Sequence, residues 1–386
     1  MTAPAVTLSL LAPDDPEWAA ALARLPHDVY HLASYAALSA ERLDGEAFAV
    51  HARSTDGELL LPLIQQPIAA RPGWNDVLSP YGYPGPVVSF GEHVTPVARA
   101  AFLAEAVDRM TTTLRERKVL TAFVRLHPLM ADSLEVFAAR GCFVRHGHTV
   151  AMDLTVSDEE MWHQLRPNHR RGIRRGQRLG HRVLHDTTWG HLDGFVAIYE
   201  ETMDRVQAAP AYYFDAPAFI ELRAALGPER LHLFMVMDGA HPLGGALFTE
   251  THGILQYHLG GTFTKALPLH PHKLLYFEVA RWAKERGNRV LHLGGGRAGR
   301  EDSLYQFKAG FSRIYRPFYT WRHVIEPDAA SDTPGLDIGP TDSEFFPAYR
   351  ERDGTPATGS VRSMPVATPR HTSERRIPAP SLLRRA

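Results

Sequence analysis

The stretch Val290-Leu-His-Leu-Gly-Gly-Gly-Arg-Ala-Gly-Arg-Glu-Asp-Ser-Leu-Tyr-Gln-Phe-Lys-Ala-Gly-Phe311 carries most of the information in this chain. It begins as a short apolar strand, which ends in Gly294, Gly295 and Gly296. A run of glycines lets a backbone approach a ligand closely. Asp302 follows as a natural N-terminal cap for a helix. The stretch therefore predicts a strand, a close-approach loop and a short helix.

Two side chains of that helix are candidates for chemistry. Tyr305 and Lys308 are three residues apart and share one face. A lysine at this place could donate to a carbonyl oxygen that gains negative charge during acyl transfer. The glycines match neither a dinucleotide fingerprint nor a P-loop. The alternative is an ordinary strand-to-helix turn with a solvated lysine, and the glycines alone favour neither interpretation.

The pattern of elements outside this stretch predicts a repeat. Each half reads as a helix, a hairpin, a long helix, a strand, a helix and a strand, which is the order of the acyltransferase fold called GNAT. In the first half these are 17–25, 47–52 with 58–64, 97–117, 120–126, 131–139 and 143–154. In the second half they are 192–206, 231–237 with 244–249 and 254–259, a helix opened by Pro271, 290–293, 303–311 and 319–324. The alternative is one large mixed sheet with a coincidental order.

The predicted fold class is α/β, with tandem GNAT-like acyltransferase domains, each a mixed sheet flanked by helices. We place the domains at residues 1–155 and 156–325. Residues 326–386 are rich in proline, serine, threonine and arginine and lack apolar periodicity, so we expect a mostly disordered tail. Within it, 344–349 is the one stretch with enough aromatic area to dock on the body.

Composition narrows the function. The 386 residues carry a formal net charge of -1, so nonspecific coating of nucleic acid is excluded and any nucleic-acid contact must be local. Cys142 is the only cysteine, which fits a reducing compartment and is expected to be a buried small hydrophobe. The N-terminus lacks a basic region before its apolar residues, and no apolar run is long enough to span a bilayer. We therefore expect a soluble, cytoplasmic protein.

Five motifs together resemble the Fem family of transferases, over roughly residues 25–325. The run 301–311 after Leu-Gly-Gly is similar to the family's C-terminal motif. The others are Ser79-Pro-Tyr-Gly-Tyr-Pro-Gly-Pro86 and Val124-Arg-Leu-His-Pro128 in the first half, and Arg166-Pro-Asn-His-Arg-Arg-Gly-Ile-Arg174 and Gln256-Tyr-His-Leu-Gly-Gly-Thr262 in the second.

The resemblance implies two GNAT-like domains with a cleft between them. The best known members move an amino acid from charged tRNA to the amine of a peptidoglycan stem peptide. The ester in charged tRNA is already activated, so the reaction implies no metal and no cofactor; the enzyme aligns amine and ester and stabilises the oxyanion.

The resemblance also implies site residues. Lys308 matches the lysine that stabilises the oxyanion, and Asp302 places the loop or receives a proton. The general base is unassigned, because the amine could lose its proton to water or to the substrate. Residues implied to line the cleft and bind substrate are Tyr81, Tyr83, Arg125, Tyr257, His258, Gly294, Gly295, Gly296 and Tyr305. As isolated aromatics, the tyrosines would be read as core residues.

Departures from the family pattern leave the acceptor open. No lysine appears in 31–38 and no arginine in 211–215, where members with a nucleotide-linked precursor hold its phosphates. A lipid-linked precursor or another amine therefore remains open beside the nucleotide-linked one. The junction 264–272 has two prolines where an acyl-CoA cradle needs backbone donors, which disfavours acyl-CoA. An acyl-CoA-dependent N-acyltransferase of an envelope sugar or amino acid is the first alternative, and a non-catalytic binding member is the second.

An arginine-rich run is the remaining feature. The segment 166–182 holds seven arginines, and Arg170, Arg174, Arg178 and Arg182 stand four apart, as on one helical stripe. Such a stripe could contact tRNA phosphates or an anionic lipid head group, or simply be a solvated face. Gly172, Gly176 and Gly180 make a poor isolated helix, so packing or a ligand must hold it. The histidines show no metal-ligand spacing, and we predict no metal.

Overall fold

The structure is a computed structural model that describes residues 5–130, 135–331, 336–343 and 345–352. Its first half contains β1 (Thr7–Leu11), α1 (Pro16–Arg24), α2 (Ala33–Glu41), β2 (Glu46–Arg53), β3 (Gly57–Pro67), β4 (Asn75–Leu78), β5 (Val87–Phe90), α3 (Pro96–Glu116), β6 (Val119–Arg125) and β7 (Cys142–Asp153).

The second half contains a similar order of helices and strands. Its elements are α4 (Asp158–Gln164), α5 (Pro167–Arg178), β8 (Arg182–His185), α6 (Leu192–Val206), α7 (Ala216–Leu226), β9 (Leu231–Asp238), β10 (His241–Thr251), β11 (Ile254–Thr262), α8 (Pro271–Glu285), β12 (Val290–Gly294), α9 (Ser303–Lys308) and β13 (Ile314–Val324). The short helices α10 (Pro327–Ser331) and α11 (Tyr349–Arg352) follow.

Local sequence explains where the helices begin. The Asp15 side chain accepts from the Glu17 amide, and the proline at position 16 starts α1. Asp302 caps α9 in the same way, as expected. One predicted helix differs: 135–140 is a 3-10 helix, and residues 131–134 lie outside the described residues. Among the described residues, no helix is long and apolar enough to cross a membrane.

The described strands form one mixed sheet that runs through both halves. Its order is β1-β2-β3-β4-β6-β13-β7-β12-β11-β10-β9-β8, with β5 paired to β3. Two neighbouring pairs in this order are parallel, β4 with β6 and β11 with β12. They take equivalent places in the two halves, because each follows an antiparallel hairpin and is connected by a long helix, α3 or α8.

The halves are joined by the ribbon of β7 and β13. β13 pairs with β6 on one side and with β7 on the other, although it comes from the end of the second half. β7 in turn pairs with β12. The tandem GNAT-like α/β architecture is confirmed, and both sheet motifs are completed by strands from the other half. The domain boundary near residue 155 stays a prediction; it falls between β7 and α4.

Separate hydrophobic clusters lie on the two halves, and a third spans them. One cluster packs α3 on β2, β3 and β6, and another packs α8 and α9 on β10, β11 and β12. The third joins Tyr30 and Tyr35 of the first half to Phe195, Ile198 and Tyr199 on α6. This shared cluster fixes the first-half aromatics against the second half.

Part of the segment after Ile325 is docked on the body. Phe346 and Tyr349 are buried, and Tyr349 donates to an Asp76 carboxylate oxygen at 3.0 Å. The Arg350 guanidinium lies 2.7 Å from the other Asp76 oxygen. Docking is thus seen for residues 345–349 of the expected stretch 344–349. The predicted disorder covered residues 326–386; within that range 326–331, 336–343 and 345–352 are described, and residues 353–386 lie outside the described residues.

Candidate functional site

The parallel strands β11 and β12 separate at the centre of the second half. Their pairing ends at Gln256 with His292, although both strands continue. Beyond this point β11 carries Tyr257 and His258, which alternate to opposite faces of the sheet. β12 ends in Gly294, whose φ of +74° favours glycine. The end of the pairing leaves a gap between the two strands, with Gly294 at the end of β12 on one side.

Lys308 lies at this gap. It is the last residue of α9 and is only 4% exposed, so the solvated-lysine alternative does not apply. Its Nζ donates to the Gly295 carbonyl oxygen at 2.7 Å and sits 5.3 Å from the centre of the Tyr257 ring. Burial lowers the pKa of Lys308 to about 7, while the Asp302 charge acts in the opposite direction. Both the ammonium and the amine are therefore present near neutral pH.

The three glycines are explained by close contacts. A Cβ at Gly294 would lie 3.3 Å from the Tyr83 hydroxyl and 3.5 Å from the Lys308 Nζ. A Cβ at Gly295 would lie 3.0 Å from the His148 carbonyl oxygen, and one at Gly296 would collide with the Arg300 carbonyl. The loop thus brings its backbone against Tyr83 from the first half and Lys308 from the second.

Asp302 is occupied by the loop that it caps. Its Oδ1 accepts from the amides of Leu304 and Tyr305, each at 3.0 Å. Its Oδ2 accepts from the amide and Nε of Arg297, at 3.2 and 3.1 Å. Of the two roles expected for Asp302, placing the loop and receiving a proton, these contacts are those of the first. Both carboxylate oxygens accept two hydrogen bonds each within the loop.

The first half brings an aromatic group to the same gap. Tyr30 lies between Tyr83 and His258, with ring centres 6.0 and 6.1 Å away. The Tyr35 hydroxyl donates to the Tyr81 carbonyl oxygen at 3.1 Å. Burial lowers the pKa of His258 to about 4, so its imidazole is neutral at physiological pH. Tyr81, Tyr83 and His258, which were expected to line one cleft, do lie together.

Two further expected site residues are Arg125, at the equivalent place in the first half, and Tyr305, on the helix of Lys308. Arg125 is 5% exposed, stands over the Phe123 and Tyr81 rings and donates to the Ser79 carbonyl at 3.3 Å. It belongs to the place where β4 and β6 separate. Tyr305 is buried beside Lys308 on α9, with its ring 6.1 Å from that of Tyr315. The roles of both in substrate binding stay predictions.

Sequence reasoning missed a buried histidine group behind the gap. His127 bonds an Asp28 carboxylate oxygen at 3.1 Å, and His292 bonds Gln256 at 2.8 Å and Thr149 at 2.7 Å. Burial is the first cause that lowers the pKa of His292 well below its ordinary value. His292 stands inside the quoted strand as a polar residue between two leucines, which was the available signal.

The arginine-rich helix α5 is held by packing. A Cβ at Gly172 would lie 2.5 Å from the Lys273 Cδ, and one at Gly176 would lie 3.5 Å from the Leu274 Cδ2. The glycines therefore let α5 lie closely on the first turn of α8. Arg174 and Arg178 are exposed and Arg170 is half-buried. The stripe is shorter than expected, because the helix ends at Arg178 and Arg182 starts β8.

The same helix starts against the segment that carries Lys308. The Arg166 amide donates to the Gly310 carbonyl at 2.8 Å, and His169 Nε2 lies 2.9 Å from the Phe307 carbonyl oxygen. The His169 ring also packs on Phe311, with centres 4.6 Å apart. The start of the cationic helix α5 thus contacts the residues on either side of Lys308.

One group of side chains has a spacing suited to a metal ion. Ligand atoms of Glu17, His51 and Glu58 lie within 4.8 Å of one another. Arg24 donates to both carboxylates, and His51 Nε2 lies 2.8 Å from Glu58. The carboxylates are thus balanced by a guanidinium, and this group is remote in sequence from the gap.

Known proteins resemble the chain at two levels. The profile of the acetyltransferase (GNAT) domain family matches residues 163–308. FemX superimposes with a TM-score of 0.59 at 14% identity, covering 81% of this chain and 96% of that one. L-PGS from Bacillus licheniformis gives 0.49 at 14% identity, covering 81% and 93%. A tandem GNAT protein from the clavulanic acid pathway gives 0.46 at 15% identity, covering 84% and 100%.

The domain match supports an acyltransferase activity for the chain. The structural likeness, at 14% identity, concerns the fold alone. No curated protein sequence is significantly similar to the chain. The resemblance drawn from the five motifs is confirmed at this level: the second half contains a GNAT domain, and the chain as a whole has the fold of FemX.

Proposed function

We propose that this chain transfers an aminoacyl group from charged tRNA to an amine of a peptidoglycan precursor stem peptide. The observation that carries the proposal is Lys308, a buried lysine with a pKa near neutrality, placed at the separation of two parallel strands beside a glycine loop. A group that donates in a water-poor site is what an oxyanion needs.

The proposed reaction needs little beyond alignment. The amine nitrogen attacks the ester carbonyl, and the carbonyl oxygen becomes an oxyanion that the Lys308 ammonium stabilises. The attack forms the C–N bond. Collapse of the intermediate restores the carbonyl and breaks the C–O bond to tRNA, whose terminal hydroxyl leaves with a proton from the nitrogen. Because the ester is already activated, the reaction calls for no cofactor.

The outer face of α5 is the proposed contact for tRNA phosphates, through Arg170, Arg174 and Arg178. Within the described part of the chain, none of the α5 arginines forms an ion pair with a carboxylate. Their charge is therefore available to an anion, although Arg174 also stands over the Trp162 ring. Since α5 begins against the α9 segment, tRNA bound there would hold its charged end near Lys308.

The proposed acceptor site begins on the aromatic side of the gap, formed by Tyr30, Tyr35, Tyr81, Tyr83 and His258. From there the amine of the peptide reaches through the gap to the face that carries Lys308. Tyrosines supply apolar area and a polar tip, which suits a peptide carrying an amine. Both nucleotide-linked and lipid-linked precursors carry such a peptide. The experiment below separates them.

An acyl-CoA-dependent N-acyltransferase is the second candidate, because the matched domain family is described as acetyltransferase. The contact between α5 and α8 weighs against it. The first turn of α8 is covered by α5, and the preceding residues Thr264–Leu269 form a 3-10 helix with an internal proline. Backbone amides for a pyrophosphate are thus not presented there. A non-catalytic binding member is the third candidate, for which changing Lys308 would leave cellular activity intact.

A transfer assay tests the proposal. Purified protein receives pooled tRNA charged with radiolabelled amino acids and, in separate tubes, a lipid-linked or a nucleotide-linked muropeptide. Ribonuclease-treated tubes and tubes with labelled acetyl-CoA are the controls. Label on one acceptor that disappears with ribonuclease is expected. Label from acetyl-CoA alone would overturn the tRNA proposal in favour of the second candidate.

A further inference from the structure

A carboxylate, an imidazole and a guanidinium form a row on the rim of the glycine loop. The Glu301 carboxylate oxygen lies 2.6 Å from His148 Nδ1, and the Arg145 Nη2 lies 2.7 Å from His148 Nε2. The side chains of His148 and Glu301 are 29% and 46% exposed, so solutes reach them.

The imidazole is on the same face of the sheet as Lys308. Along β7, Thr149 points to His292 behind the gap, so its neighbours His148 and Val150 point to the opposite face. Val150 packs in the cluster that contains Tyr257, and Lys308 stands over Tyr257. The His148 carbonyl also lies against Gly295, whose own carbonyl binds Lys308. His148 and Lys308 therefore flank the glycine loop.

The contacts define the tautomer of His148. Arg145 has only donors, so His148 Nε2 must be the acceptor and Nδ1–H must donate to Glu301. A carboxylate that holds Nδ1–H and leaves the Nε2 lone pair outward is the arrangement of a general base. That lone pair already receives a cationic donor in the guanidinium of Arg145. A substrate ammonium has the same charge and donor character.

We propose that His148, oriented by Glu301, is the general base that takes a proton from the acceptor ammonium. The proposal rests on the proposed aminoacyl transfer. The ammonium replaces Arg145 at Nε2 and gives up one proton, and the resulting amine attacks the ester. A second proton leaves the nitrogen with the tRNA hydroxyl as the C–O bond breaks. The imidazolium then releases its proton to water.

The neighbouring groups fit this role. The charged groups that face His148 are Glu301, Arg145 and, across the loop, Lys308. Tyr305 of α9 and Tyr315 of β13 face the same side, and burial raises the pKa of Tyr305. Asp302 is fully used by the loop, and both nitrogens of His127 and of His292 have partners inside the protein. His148 is the accessible base among these groups.

Pre-steady-state transfer rates test the proposal across pH. His148→Gln should lower the rate about 100-fold at neutral pH and remove the fall on the acid side, as for loss of a general base. Glu301→Gln should give a smaller loss and move that fall. His163→Gln, at an exposed histidine on α4, is the matched control and should change nothing. An unchanged pH profile in His148→Gln, with wild-type activity intact, would overturn the proposal and leave the proposed function standing.

A second measurement does not need turnover. The imidazole nitrogen resonances of His148 are followed while a stem pentapeptide with a free side-chain amine is added. The free amine should shift the Nε2 resonance, and the same peptide with an acetylated amine should not. Equal effects of the two peptides would overturn the proposal even if the wild-type protein transfers nothing.

Discussion

Each half has a pair of parallel strands at an equivalent position, but the two pairs differ in what lies beyond the point where the pairing ends. In the first half, pairing of β4 with β6 ends at Leu78 and Phe123. The chain is then tied together, because the Ser79 amide donates to the Phe123 carbonyl at 2.9 Å and Ser79 Oγ accepts from the Arg125 amide at 3.0 Å. In the second half the strands separate at a glycine loop beside Lys308.

The difference shows that the fold produces a strand separation in each half, and that the residues at the separation determine whether a reaction can take place there. A strand separation sealed by Ser79 and Arg125 supports the sheet, whereas one bordered by glycines admits a reacting group. The long helices differ in parallel: α8 is covered at its first turn by α5, while the start of α3 lies at the surface. The second half thus combines the open gap with the cationic helix.

The largest expected effect comes from removing the lysine at the open gap. Lys308→Met should lower the transfer rate about 1,000-fold, the upper range for loss of one oxyanion donor. The protein should remain folded, because an unbranched apolar side chain replaces a buried cation. Single-turnover transfer and thermal unfolding measure the two effects.

Lys265→Met is the matched control, since Lys265 is an exposed lysine of the same half. Transfer at the wild-type rate by Lys308→Met would remove the contrast between the halves and support a binding role for the protein.

The next effect tests the cationic helix. Changing Arg170, Arg174 and Arg178 to glutamine should weaken tRNA binding about tenfold to 100-fold and make it less sensitive to salt, because fewer counterions are released. Filter binding at several salt concentrations measures both quantities.

The control replaces three first-half arginines that are partly or fully exposed, Arg53, Arg99 and Arg109. If that variant loses as much affinity as the α5 variant, the contact is nonspecific and the assignment of tRNA to the second half fails.

A smaller effect concerns pH. The ammonium of Lys308 is the active form, so wild-type transfer should fall about tenfold per pH unit well above its pKa of about 7. Stability should change in the opposite sense. The folded pKa is lowered from 10.5, so the unfolded chain binds more protons between pH 7 and 10.5, and the free energy of unfolding rises with pH in that window.

Lys308→Met should lack both the fall in its residual rate and this part of the rise in stability. Denaturant unfolding at a series of pH values measures the difference between the two proteins. Parallel stability curves would show that Lys308 is not desolvated.

The smallest effect tests the sealed gap. Ser79→Ala removes the bond to the Arg125 amide and should lower the free energy of unfolding by about 1 kcal/mol while leaving the transfer rate unchanged. Ser39→Ala, at a half-buried serine that donates to the Tyr35 carbonyl within α2, is the matched control. A loss of transfer without loss of stability would mean that the first-half separation also takes part in the reaction.

Local structure could largely be predicted from the sequence alone. The hairpins, the long helices and the Asp302 cap follow from periodicity and capping chemistry, which act between residues close in the chain. Lys308 was identified from its motif, and the glycines of α5 indicated that packing or a ligand must hold that helix. The stripe was overextended to Arg182 because the four-residue spacing continues past the point where Gly180, with φ of +78°, turns the chain.

Only the tertiary structure decided the features that depend on distant residues. The insertion of β13 between β6 and β7 and the pairing of His148 with Glu301 each join segments more than 100 residues apart, and the low exposure of Lys308 depends on the packing around it. No local pattern encodes such contacts, because they arise from the way the whole sheet is closed. The sequence determined which groups are present, and the fold determined which of them are desolvated and which face one another.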